Sequence, residues 1–239
     1  MRLCIITCMR DALPFLPLYR EQLRRWTLQP AVIVVGENGS DDGTRAWLDR
    51  WAIDDDARVD AFSFDPPPGP KLERVATAER AAHMARVWNT CLERALEHDW
   101  THAVVMSIQK YAPASVIARL AALDRDIVAP LIMFPMGATR IFYDTWCFQA
   151  LDGTRFSAHE PSGDSVEEVA GVGGCYLVRR AVYEAGCRLA PTDGTFCESV
   201  AFCEQARARG FQVWVDRREP TAWAYWTPGP YRARLATDG

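Results

Sequence analysis

The sequence predicts an α/β fold: a doubly wound, mainly parallel sheet with helices on both faces. Short apolar runs near residues 3–7, 32–35 and 102–106 read as buried strands. Amphipathic stretches with helical spacing separate them. The second run ends in Gly36-Glu37-Asn38-Gly39-Ser40-Asp41-Asp42-Gly43-Thr44, an acidic, amide- and glycine-rich turn. Such turns sit at the carboxyl ends of strands, where open α/β sheets bind ligands. The turn has no G-x-G-x-x-G, so a dinucleotide-type phosphate cradle is not indicated. Its acceptors suit a base or ribose; a plain helix cap, with Ser40 or Asp41 as N-cap, explains the same residues.

Element by element, residues 3–7 form strand one. Residues 11–26 form a helix with Phe15, Leu18, Tyr19 and Leu23 inward. Pro30 delivers the chain to strand two. A helix over 42–51 places Trp47, Leu48 and Trp51 on one face, and a short strand spans 60–64. Asp54-Asp55-Asp56 reads as a solvated turn. Pro66-Pro67-Pro68-Gly69-Pro70 stops any helix and reads as an exposed, extended loop. A long helix over 72–98 follows, with Val75, Ala82, Met84, Ala85, Trp88, Leu92 and Leu96 on its apolar face. Strand 101–107, helix 115–123 and strand 126–133 complete the alternating half. Residues 137–170 are loop-rich, with acidic residues from 160 to 168. Gly171-Val172-Gly173-Gly174 leads into strand 175–179, helices 180–185 and 198–209, and strand 211–216. The tail 217–239 is aromatic and proline-bearing, without periodicity.

The chain has 239 residues and a net charge of −4, which argues against a chain-wide nucleic-acid footprint. Its positive charge is almost all arginine; the lysines are Lys71 and Lys110. None of the eight cysteines forms a C-x-x-C pair. Several sit in apolar runs and read as reduced core residues of a cytoplasmic protein, with a Cys197–Cys203 disulfide left open. The N-terminus enters a strand without a signal peptide. No apolar run approaches the ~20 residues of a membrane helix, so no integral membrane association is expected.

Ile5-Ile6-Thr7 with Arg10, Glu37-Asn38-Gly39-Ser40-Asp41-Asp42-Gly43-Thr44, Ala85-Arg86-Val87-Trp88-Asn89, and Gly171-Val172-Gly173-Gly174 with Glu198-Ser199-Val200-Ala201-Phe202 occur in that order. Together they resemble a GT-A-type (Rossmann-like) glycosyltransferase. More narrowly they resemble glycosyltransferase family 2 and, through Tyr143-Asp144-Thr145-Trp146, the Anp1/Mnn9-type mannosyltransferases. The resemblance implies one GT-A-like domain over 1–239, with a nucleotide-binding half at 1–135 and a loop-rich acceptor-binding half at 136–239. Where such enzymes carry D-x-D, this chain has Ser107-Ile108-Gln109, and residues 217–226 lack the late histidine. Both usual metal ligands are absent, so no metal site is assigned and transfer without a metal is expected.

On this resemblance Glu198 is the catalytic base of an inverting reaction, and Asp144, also assigned to the catalytic set, brackets a sugar with Trp146, the carboxylate on its hydroxyls and the ring on an apolar face. Retaining relatives need no such base, so the stereochemistry stays open. Thr7, Arg10, Glu37, Asn38, Ser107 and Gln109 bind the nucleotide. Lys110 and Arg140 neutralise the diphosphate, a task a fixed cation can perform. Trp146, Gly173 and Gly174 meet the sugar or acceptor, and the tail aromatics Trp223, Tyr225, Trp226 and Tyr231 offer a platform or lid. The donor is a nucleotide-sugar, UDP- or GDP-linked. The acceptor is a glycan, a protein or a hydroxylated DNA base. Two further classes stay open: a non-catalytic nucleotide- or glycan-binding relative, and a nucleotidyltransferase. The last ranks lowest because Thr7-Cys8-Met9-Arg10 has no glycine-rich loop.

Overall fold

A computed structural model describes residues 1–54, 58–64, 77–137, 139–156, 165–191 and 197–237. The proline-rich segment, Lys71, Leu72, Val75, Asp55, Asp56 and the acidic residues before 165 lie outside these. The first half alternates as read: β1 Leu3–Met9, α1 Leu16–Arg25, β2 Val32–Glu37, α2 Thr44–Asp54, β3 Val59–Ser63, α3 Ala78–Leu96 and β4 His102–Met106. There follow β5 Lys110–Tyr111, α4 Val116–Ala122, β6 Ile127–Pro130, β7 Ile132–Met136 and β8 Thr139–Phe142. The remainder contributes β9 Val166–Glu168, β10 Cys175–Arg179, α5 Arg180–Glu184, α6 Glu198–Ala208, β11 Val213–Asp216, β12 Ala222–Ala224 and α7 Pro228–Thr237.

Eight strands form the main sheet in the order β3-β2-β1-β4-β10-β6-β11-β9. All run one way except β10 and β9, which pair antiparallel with their neighbours. The carboxyl ends of β1, β2 and β4 therefore lie along one edge. A second sheet, β5-β12-β7-β8, sits beside it. Ile5, Ile6, Val34, Val104 and Val128 are fully buried in the main sheet, as apolar runs in covered parallel strands should be.

Four expectations change. The first helix starts at Leu16 because Asp11 adopts a left-handed φ of 49° and breaks the turn. Ala82 is exposed; Ala81, Ala85, Trp88 and Leu92 form the buried stripe of α3. The run 126–133 divides after Pro130, with β6 in the main sheet and β7 in the small one. The tail contains β12 and α7, with prolines in the first turn of α7, where a missing N–H costs nothing.

Asp216 closes β11 and anchors the route to the small sheet. It is 0% exposed and accepts from Arg119 Nε and Arg218 Nε, both at 2.8 Å. Arg119 also donates to the Pro220 carbonyl at 2.9 Å. Burial pushes the Asp216 carboxyl up, but the Arg218 side-chain and backbone bonds and the Arg119 charge outweigh it and hold the carboxyl below its usual range. The stabilisation is therefore present above the ordinary carboxylate pKa and is lost as pH falls through the lowered value. Asp216→Asn leaves two arginines short of a buried charge and is expected to cost about 3 kcal/mol in urea denaturation at neutral pH. The gap to the wild type should narrow in acid, where the wild-type carboxyl is protonated too.

Candidate functional site

A cleft of about 570 Å³ opens at the carboxyl edge of the main sheet. Val105 and Ser107 at the end of β4 form part of its floor; Thr77, Arg80, Met84 and Trp88 of α3 and its cap form one wall. Tyr143, Asp144, Trp146 and Trp226 come from the small-sheet side, and Glu198 and Ser199 from the start of α6. Cys175, first in β10, pairs with Met106, last in β4, so Gly174 also reaches this edge.

Ser107-Ile108-Gln109 makes a tight turn in which the Lys110 N–H donates to the Ser107 carbonyl at 3.0 Å. This carries Lys110 into the cleft. Its carbonyl accepts from Gln22 Nε2 and the Tyr231 hydroxyl, both at 3.3 Å, and Lys110 pairs with Ala224 across β5 and β12. The side chain is 5% exposed, with Nζ 3.6 Å from the centroid of the Tyr143 ring. Burial drives its ammonium from the usual 10.5 down to about 8, with Asp144 and Cys175 pulling the other way.

Asp144 is buried, and burial pushes its carboxyl up; the Lys110 charge and the Cys147 N–H act against this. Gly174 makes room for it. A Cβ at Gly174 would stand 2.5 Å from Asp144 Oδ2 and 2.8 Å from Ile132 Cδ1, and its φ of +68° belongs to glycine. Glu198 is half-buried at the first turn of α6. Burial raises its carboxyl, the Asp144 charge adds to this, and a backbone hydrogen bond and Arg80 oppose it.

Ser107, Gln109, Lys110, Asp144, Trp146, Gly174 and Glu198 thus share one cleft. Trp146 and Trp226 are 48% and 50% exposed at its mouth. Arg140 does not join them. It lies in a separate groove with Trp223, Tyr225 and Arg234 and pairs with Glu219. Gly173 does not line the cleft; a Cβ there would stand 2.5 Å from Cys147 Cβ and 2.6 Å from Ser199 Oγ. Glu37 uses both carboxylate oxygens internally, accepting from the Ser40 N–H at 2.6 Å and the Ser63 hydroxyl at 3.1 Å. Asp42 likewise accepts from the Leu13 and Thr44 N–H groups, each at 3.0 Å, and Ser40 and Asp41 bond to Asp11. Thr7 is wholly buried. Arg10 Nε and Asn38 Oδ1 are buried without a hydrogen-bond partner among the described residues.

Two features of the cleft escaped the sequence reading. Arg80 sits in the first turn of α3, which Thr77 caps by accepting the Arg80 N–H at 3.2 Å; a helix read from residue 72 hides that cap. The cysteines are not all reduced: Cys147 and Cys197 are joined by a disulfide. Cys203, weighed above as the partner of Cys197, is a free, buried thiol.

Gly174→Ala should force both a left-handed alanine and a clash with the Asp144 carboxylate. Thermal or urea unfolding should show a loss of about 1–3 kcal/mol. Gly229→Ala, where nothing crowds the added carbon, should change stability far less.

No family model matches this sequence, and neither does any curated protein. Solved structures do share its fold. S. aureus TarS residues 1–349 superposes with a TM-score of 0.64 at 11% identity, covering 98% of this chain and 63% of that one. The same protein in complex with UDP-GlcNAc gives 0.64 at 11% identity over 100% of this chain and 66% of that one. Its UDP complex gives 0.64 at 12%, over 100% and 65%. The chain therefore spans slightly under two thirds of the solved TarS fragment, and its architecture is the GT-A glycosyltransferase fold.

Proposed function

We propose that this chain transfers a sugar from a nucleotide-sugar to a hydroxyl acceptor, with Lys110 as the fixed cation facing the departing diphosphate. The observation that carries this reading is the convergence of one buried ammonium and two desolvated carboxyls, Asp144 and Glu198, at the carboxyl edge of the sheet. The fold and the TarS complexes with UDP and UDP-GlcNAc support a UDP-sugar ahead of a GDP-sugar. The unpartnered Arg10 Nε and Asn38 Oδ1, at the ends of β1 and β2, support a nucleotide on that side, because buried polar atoms normally find partners. Glu37 and Thr7 shape this region from within.

In the inverting form of the reaction, the acceptor oxygen attacks the anomeric carbon while the bond from that carbon to the diphosphate oxygen breaks. Glu198 takes the acceptor proton, and desolvation raises its basicity towards the working range of a general base. The Lys110 ammonium, in a site shielded from water, stabilises the negative charge on the leaving group. Trp146 and Trp226 at the mouth offer flat apolar faces to the acceptor. Ser107 and Gln109 supply one hydroxyl and one amide where a divalent cation would need carboxylates. Among the described residues no three His, Cys, Asp or Glu side chains gather as a ligand set. A neutral hydroxyl and a neutral amide at Ser107 and Gln109 do not fit a divalent cation that needs anionic oxygen ligands. The same pair favours a second reading, a non-catalytic binder of nucleotide-sugars; it predicts ligand binding without turnover.

Thermal shift should detect selective stabilisation by a UDP-sugar, undiminished by EDTA. Transfer lost in EDTA and restored by Mn²⁺ would overturn the Lys110 assignment. Glu198→Gln should lower turnover by about 10²–10⁴-fold with donor affinity little changed. Near-normal turnover would point to a retaining, base-free route. Lys110→Met should lower turnover by about 10²–10³-fold. Because the protonated form is the active one, kcat/KM should fall as pH rises past about 8. Lys110→Arg, charged throughout, should abolish that limb.

A further inference from the structure

The Cys147–Cys197 bond spans 50 residues of sequence and joins the two segments that carry the cleft carboxyls. Cys147 follows Trp146, and its backbone N–H is one of the two groups that oppose the rise of the Asp144 carboxyl. Cys197 is the N-cap residue of α6, directly before Glu198. Both cysteines line the cleft, Cys147 half-buried and Cys197 buried. The backbone of Gly173 packs closely against this bond: a Cβ there would be 2.5 Å from Cys147 Cβ and 2.8 Å from its sulfur.

Resting on the transferase reading above, we infer that the Cys147–Cys197 disulfide is a positioning element of the transfer site, and that its reduction uncouples Glu198 from Asp144 and lowers turnover. The reductant is a dithiol. Its thiolate attacks the more accessible Cys147 sulfur, and the sulfur–sulfur bond breaks with its electron pair on Cys197. The second thiol of the reductant then attacks the mixed disulfide, frees Cys147 and closes the reductant into its own disulfide. Two electrons have passed to the protein, and both cysteines end as thiols. Cys197 is suited to leave. It caps the N-terminus of an 11-residue helix, whose dipole favours a thiolate, and Ser199 Oγ lies 3.1 Å from its sulfur, in position to donate to it. The other six cysteines are free thiols, and none lines the cleft.

The full chain would be poised with reduced or oxidised dithiothreitol and its thiols identified by alkylation and mass spectrometry. Hydrogen exchange, turnover and donor affinity would be read in each state. Reduction should expose Cys147 and Cys197 to alkylation and speed exchange over residues 143–148 and 198–203. It should lower kcat about tenfold to a hundredfold, the order expected of a reacting group displaced by about 1 Å. Donor affinity should hold, and reoxidation should restore kcat. A Cys147→Ser/Cys197→Ser variant should behave as the reduced protein in either buffer. Unchanged exchange and kcat after verified reduction, or no crosslink in the oxidised protein, would overturn the inference. So would a parallel loss of kcat, donor affinity and melting temperature, the mark of a structural staple. Should the oxidised protein turn over no donor, the transferase reading fails, and the exchange data still decide whether the bond couples the two segments.

Discussion

The Lys110 ammonium rests on the face of Tyr143 beside a buried carboxyl, where burial strips both groups of most of their contact with water. Such an arrangement opposes folding as much as it helps. A lysine whose pKa is depressed to about 8 makes the folded state bind fewer protons than the unfolded one between that value and 10.5. The folding penalty is therefore complete at neutral pH and is relieved only in alkali. The surroundings hold the group regardless. Gln22 and Tyr231 secure the Lys110 carbonyl, strand pairing fixes its backbone, and Gly174 leaves space for Asp144. Strain maintained by this many independent contacts is characteristic of a site kept for its chemistry.

The two sheets share the work of building the cleft. β4 belongs to the main sheet and β5 to the small one, and only the turn 107–109 separates them. β6 and β7 make the same crossing at Leu131. The aromatic side chains Tyr111, Tyr225 and Tyr231 pack together behind this seam, with centroid separations of 5.5 Å. Phe134, Tyr143 and Trp226 pack along its open side. A residue placed on the turn is thus braced by both sheets, which is why a short segment can hold a charge in a fixed place.

Much of the main sheet was legible because a strand covered on both faces must be apolar throughout. β1, β2 and β4 announce themselves in this way, and β10 has the bounds expected of it. The passage from β6 to β7 was not legible, since apolar residues continue through the change of sheet. β12 is three residues long and carries no alternation to detect. At the site, Lys110 and Glu198 could be placed from motif order. Glu37 and Asp42 could not: an acidic turn that binds a ligand and one that binds its own backbone have the same sequence. The Cys147–Cys197 pairing was invisible for a different reason. It depends on where a 50-residue excursion returns, and local pattern holds no record of that.

The antiparallel strand β10 lies between β4 and β6, although it follows both in the chain. During synthesis, β4 and β6 leave the ribosome long before the strand that joins them, and each waits with an open hydrogen-bonding edge. Tyr231, which secures the Lys110 carbonyl, emerges later still. The nascent first half is therefore an incomplete sheet with exposed edges, open to pairing with other chains. Dividing this protein ahead of β10 for split reporters or domain grafting would leave β4 and β6 of the first fragment without the strand that joins them.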